Sequence, residues 1–168
     1  TGNSAKFDLS STNYTNLAVQ RRIGIRNNLG FIFVNKDEFN TSTPETRFNR
    51  VVGVDFNLAT KDAKTDGKFF VHRSFSPGDL SGEYAMGSFI EHNARKIVYD
   101  ISLENIGTNY KADVGFVPRN GYYRSEGSQQ FVFYPKNKGG RLINNWRIGP
   151  DYDIIYGKVD KRVTDWDA

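Results

Sequence analysis

Apolar and polar residues alternate along several stretches of this chain with a period of two, the pattern of a β-strand that has one apolar and one polar face. The clearest stretches are residues 51–59, 68–75, 83–91 and 96–104. In the last of them Ile97, Tyr99, Ile101 and Leu103 share one face, and Val98 interrupts the polar one. These stretches predict long strands, because each runs for seven residues or more without proline.

Weaker alternation predicts further strands over residues 17–25, 29–35, 128–134, 142–148 and 152–159. Most connections are short and rich in Gly, Asn, Asp or Pro, as at residues 26–28, 64–67, 76–79, 92–95 and 138–140, which is typical of tight turns. No stretch of 11 residues carries a helical stripe. The pattern therefore predicts one all-β domain over residues 1–168, an antiparallel up-and-down meander of about nine strands.

Strand length favours a transmembrane β-barrel over a soluble sheet. A strand that crosses a membrane needs about 9–11 residues, whereas soluble strands average about 5–6. The mean hydropathy of −0.60 does not conflict with this, because barrel strands alternate lipid-facing and interior-facing residues. Aromatic residues make up 14% of the chain, and many tyrosines fall near predicted strand ends, where a barrel places its aromatic girdles. Tyr99, in mid-strand, does not fit that placement.

Two alternatives stay open at this point. A soluble carbohydrate-binding β-sandwich would use exposed aromatic residues such as Trp146 and Tyr152. A glycoside hydrolase-associated domain is the weaker one, because Asp100 and Glu104 on one strand lie roughly 13 Å apart, farther than the roughly 5–9.5 Å of glycosidase carboxyl pairs. Asp100 could still meet Glu91 across a hairpin.

The remaining chemistry points to no catalytic, cofactor or metal site. The chain has no cysteine, and its two histidines, His72 and His92, have no partner at a metal-ligand spacing. The net charge of +4 is spread along the chain, so nucleic acid is not an expected partner. Basic residues on the first strands either form an interior patch that steers anions, or pair with Asp55, Glu91 and Asp100 or with lipid head groups. These basic residues are Arg21, Arg22, Arg26, Arg50 and Arg73.

Residues 107–126 are too apolar for a free surface loop. The favoured interpretation is one more strand over residues 113–117, followed by a turn at residues 118–121. The alternative is a segment that folds into the barrel interior.

Four stretches, at residues 19–24, 48–55, 104–107 and most specifically 113–122, together resemble the barrel-like C-terminal region of a bacterial family of unknown function, of the Bacteroidota type. Its members carry an N-terminal module similar to family 9 carbohydrate-binding domains. The resemblance spans about residues 17–156 and implies an outer-membrane location in a Gram-negative bacterium. It assigns no role to any residue here.

From pattern and resemblance together we expect a segment of an outer-membrane β-barrel that acts as a pore or as the membrane anchor of a surface sugar-binding module. The expected partners are membrane lipid, carbohydrate through a module outside this chain, and other outer-membrane proteins. The odd strand count and abrupt ends lead us to expect further strands outside this chain.

Overall fold

The computed structural model describes residues 11–39, 47–115, 117–135 and 144–168. They form one antiparallel sheet in which strands adjacent in sequence pair, except that the eighth and ninth strands both pair with the seventh and not with each other. The strands are β1 (Ser11–Ile23), β2 (Asn27–Phe39), β3 (Phe48–Ala59), β4 (Thr65–Ser76), β5 (Asp79–Asn93), β6 (Ile97–Ile106), β7 (Tyr122–Phe133), β8 (Trp146–Ile148), β9 (Asp151–Gly157) and β10 (Arg162–Asp167). The prediction of an all-β up-and-down meander is confirmed.

The count of about nine strands is also close, because β8 and β9 are two halves of one interrupted strand. Ile148 pairs with Phe131 and Asp151 with Ser128, so both halves keep a single register along β7. Pro150 separates them, since proline has no N–H to give to the ladder. Its carbonyl still accepts a hydrogen bond from the Gln129 N–H at 2.9 Å.

Several predicted boundaries were wrong. β1 ends at Ile23, because Gly24 (φ 66°) begins a turn two residues earlier than expected. The strand predicted at 128–134 starts at Tyr122, and β10 was not predicted at all. Of the strand predicted over 142–148, residues 142 and 143 lie outside the described residues. The turn predicted at 138–140 also lies outside them.

The first seven strands are 10–15 residues long. Within the described residues the sheet does not close, and β1 and β10 stand at its two ends. Among these residues no helix is long and apolar enough to cross a membrane.

The core lies on one side of the sheet, where a long connection packs across it. Ala85 and Ile106 from the sheet, Tyr110 from the connection between β6 and β7, and Tyr122 at the start of β7 form its buried cluster. This connection, residues 107–121, is called the crossing segment below. The strand expected over 113–117 is not found in its described part, which has turns and irregular backbone instead.

Candidate functional site

Alternate residues along each strand lie on opposite faces of the sheet, and the two faces differ in their chemistry. Because successive side chains on a strand point to opposite faces, aligned pairs identify each face. One row runs from Phe31 through Val54, Val71 and Met86 to Asn105, and continues to Tyr123 and Tyr156. We call this side the apolar face. Its other members include Leu17, Val19, Leu29, Phe33, Val52, Phe56, Phe69, Ile101, Leu103 and Ile154.

The apolar face is left uncovered. Val54 is 48% exposed, Ile101 46% and Leu103 49%, although all three lie in the middle of the sheet. Apolar side chains exposed in this number on one face are typical of a surface that a membrane, a second protein or a ligand covers.

The polar face carries most of the charged side chains of the strands. Its members include Asp55, Asn57, Lys68, His72, Glu91, Asp100, Glu104, Arg124, Glu126 and Asp153. The Arg124 guanidinium donates two hydrogen bonds to the Asp153 carboxylate, from Nε at 2.9 Å and from an Nη at 2.8 Å, and it also pairs with Glu126. Tyr122 donates its hydroxyl proton to Glu104 at 2.9 Å. These bonds join β6, β7 and β9 on the polar side.

Carboxylates also align along one row of the polar face. Asp66 pairs with Glu91, Glu91 with Asp100, and Asp100 with Ser128, which pairs in turn with Asp151. The register thus places Asp100 opposite Glu91 across the β5–β6 hairpin, the possibility left open by the sequence. Ser128 donates its hydroxyl proton to Asp100. A row of acidic side chains attracts cations to this part of the polar face.

The crossing segment covers the polar face and reaches strands far from its own ends. It leaves β6 at Gly107, whose N–H donates to the Tyr84 carbonyl at 2.8 Å, and it returns at Gly121, whose N–H donates to the Gly107 carbonyl at 3.0 Å. Between these points the Lys111 N–H donates to Ser74 Oγ on β4 at 3.1 Å, and the Asp113 carboxylate binds Lys36 on β2 at 3.1 Å.

Asn49 on β3 is the central anchor of the crossing segment. It is 1% exposed; its Nδ2 donates to the Lys111 carbonyl at 2.9 Å, and its Oδ1 accepts the Asp113 N–H at 3.0 Å. Burial of Tyr110 in the same segment raises the pKa of its phenol. A cavity of about 430 Å³ remains between the segment and the sheet, bordered by Phe70, His72 and other residues.

Sequence reasoning missed Asn49, Ser74 and Lys36 as partners of this segment. Each is separated from its partner by 37 to 77 positions along the chain, and no local pattern signals such a contact. The interpretation of residues 113–117 as a strand followed from their apolar character. Of these residues Val117 packs against the core, as does the preceding Ala112, whereas Val114 is 38% exposed.

The two histidines occupy opposite faces. His72 is half-buried on the polar face beside Phe70, with ring centroids 5.0 Å apart. His92, near the end of β5, stacks on Tyr99 on the apolar side and has its Nδ1 2.7 Å from Thr65 Oγ1. Within the described ranges no group of three or more metal-ligating side chains comes together.

The five basic residues of the first strands do not share one face of the sheet. Arg21, Arg50 and Arg73 belong to the apolar face, Arg22 belongs to the polar face, and Arg26 lies in a turn near the carbonyls of Thr60 and Lys61. Arg50 pairs with Asp37 at 3.3 Å and lies over the Phe48 ring, and Arg73 lies over the rings of Phe75 and Tyr84. These cation–ring contacts lie at the same end of β3 and β4, where Arg50 pairs with Phe75.

Comparison with known proteins found no match: no family model, no curated protein and no solved structure resembles this chain. The resemblance of residues 113–122 and the other stretches to the bacterial barrel-like family stays a prediction.

Proposed function

We propose that this chain forms part of an outer-membrane β-barrel. Its apolar face meets lipid, its polar face lines the interior, and the crossing segment narrows that interior. The observation that carries the proposal is the uncovered apolar face, which spans the sheet opposite a face of charged and hydrogen-bonded side chains. Strands of 10–15 residues are long enough to cross a hydrocarbon layer.

The soluble sandwich is less well supported, because the described residues form one sheet and a sandwich buries its apolar face against a second. The sugar-binding alternative would use Trp146, which is exposed. Trp146 lies in the short strand β8 and pairs with Phe133 of β7. The carbohydrate role implied by the resemblance belongs to a module outside these residues.

Adjacent residues on β6 provide a sharp test. Leu103 lies on the apolar face and Ser102 on the polar face, so arginine at each position samples one environment. In a bilayer, Leu103→Arg should cost about 2–4 kcal/mol of folding free energy, as arginine does on the lipid face near the midplane. Ser102→Arg, placed beside Glu126, should cost much less.

The measurement is urea unfolding of the full chain, and of each variant, in phospholipid vesicles. If the protein were soluble and Leu103 faced water, arginine at this half-exposed position would change stability by about 0.5 kcal/mol or less. Equal stability of both variants would therefore contradict the proposal.

The pore and anchor roles predict different electrical behaviour. A pore lined by the acidic row should give discrete conductance steps in a planar bilayer and prefer cations over anions, because charged rings select the opposite ion. An anchor should give no steps. The crossing segment, fixed to three strands, favours a narrow interior over a wide one.

A further inference from the structure

A groove lies on the apolar face of the sheet. It has a volume of about 750 Å³ and runs across the strands from β2 to β9. Phe56, Phe69 and Leu103 lie along one side of it. Val71 and Tyr123 lie along the other.

The groove has the length of a lipid tail or more. Five strands separate β2 from β9, so at about 4.8 Å between neighbours it crosses roughly 29 Å of sheet. One acyl chain spans about half of the roughly 30 Å hydrocarbon thickness. The groove can therefore hold a chain along part of its length, between two rows of apolar side chains.

A cation stands at one wall of this groove. The Lys158 ammonium lies 4.5 Å from the centre of the Tyr123 ring and donates to Asn105 Oδ1 at 2.6 Å. Both Tyr123 and Asn105 line the groove. Within the described ranges Lys158 forms no ion pair. An ammonium has three protons, and Asn105 takes one, so hydrogen-bonding capacity remains for an anion.

The same end of the sheet carries other cations over aromatic rings. Arg73 lies 5.1 Å from the Phe75 ring centre and 4.8 Å from that of Tyr84, which faces Arg73 across β4 and β5. Positive charge beside an apolar groove is complementary to an amphiphile with an anionic head and an apolar tail.

We propose that this groove binds a phospholipid whose head group carries a net negative charge, with one acyl chain lying between Phe69 and Val71 and the head group contacting Lys158. This inference rests on the proposed function, because it needs the apolar face to meet lipid. The inference adds one selective site at a defined place on that face, whereas bulk lipid would contact the face without preference.

The test measures lipid retention by native mass spectrometry. The full chain, in detergent micelles, is titrated with phosphatidylglycerol or phosphatidylcholine of the same acyl chains. The expected result is stronger retention of phosphatidylglycerol, a preference that Lys158→Gln lowers by about fivefold and Lys158→Arg keeps. Lys61→Gln, in the β3–β4 turn at the opposite end of the sheet, is the matched control and should keep the preference. Ser88→Phe, which fills the groove, should lower retention of both lipids.

Two results would overturn the inference. They are equal retention of the two lipids by the wild-type chain, and an equal loss of preference in Lys61→Gln. Failure of the proposed function looks different, because a chain whose apolar face is covered by a second copy, or does not meet lipid for another reason, would retain neither lipid.

Discussion

Replacement of Asn49 by alanine should release the crossing segment from the sheet while leaving the sheet folded. The side chain of Asn49 satisfies the Lys111 carbonyl and the Asp113 N–H. Each buried polar group that loses its partner costs about 1–3 kcal/mol, and water entering the vacated space lowers that cost. For two groups we expect a loss of about 2–4 kcal/mol, which corresponds to a roughly 30-fold to 700-fold weaker docking equilibrium.

Amide hydrogen exchange measures this equilibrium directly, because exchange of a docked amide requires local opening. The Asp113 and Lys111 amides should exchange faster in Asn49→Ala by about the same factor, while amides paired within β3 and β4 keep their protection. The control is Asn57→Ala on the same strand and face, where the side chain donates to Asp55 at 3.1 Å and does not touch the segment. Unchanged exchange at Asp113, or faster exchange spread equally over the sheet, would refute the reasoning.

Three further predictions concern other parts of the molecule. Burial raises the pKa of the Tyr110 phenol, so the contribution of Tyr110 to docking of the crossing segment is complete below about pH 10 and is lost as pH rises through the raised value. The crossing segment of Tyr110→Phe should therefore stay docked at a pH at which the segment amides of the wild-type protein exchange rapidly. The pKa of Asp62 is lowered to about 2, chiefly by the Thr60 hydroxyl, which donates to the carboxylate at 2.7 Å. The contribution of Asp62 to the stability of the β3–β4 turn should therefore be present above about pH 4 and lost as pH falls through about 2. Titration of the carboxyl carbon by NMR measures this pKa, and a midpoint near 4 would contradict the prediction. A methyl group at Gly53 would overlap the His72 ring, so Gly53→Ala should destabilise the protein by about 1–3 kcal/mol. In a double-mutant cycle, combination with His72→Ala should restore part of this lost stability. Strictly additive effects of the two substitutions would count against the overlap.

The sheet could be predicted from the sequence because its cause is local. In a strand with one apolar and one polar face, apolar and polar residues alternate with a period of two, as at residues 51–59 and 96–104. Tight turns are equally local, and Gly78, with φ 88°, lies in the predicted turn at residues 76–79. Strand order follows from short connections, which place neighbours in sequence side by side.

The crossing segment could not be predicted, because its conformation depends on contacts with distant strands. Residues 113–117 have the composition of a strand, yet the nearby N–H groups of Lys111 and Asp113 donate to the side chains of Ser74 and Asn49 and not to a strand ladder. The same limit applies to the basic residues. The alternation of residues predicts that Arg50 and Arg73 lie on the apolar face. Their positions over aromatic rings depend on packing at the ends of the strands, which alternation does not predict.

The most direct test of the proposed membrane orientation is to measure what each face of the sheet contacts. The chain contains no cysteine, so single cysteines at Val54 and Ile101 on the apolar face, and at Asp55 and Asp100 on the polar face, can be labelled without background. Each is reacted with a water-soluble thiol reagent in intact membranes, and an attached fluorophore is then exposed to a quencher dissolved in the lipid. The proposal predicts quenching by lipid at residues 54 and 101 together with reaction from water at residues 55 and 100. Reaction from water at all four positions, without quenching, would contradict it.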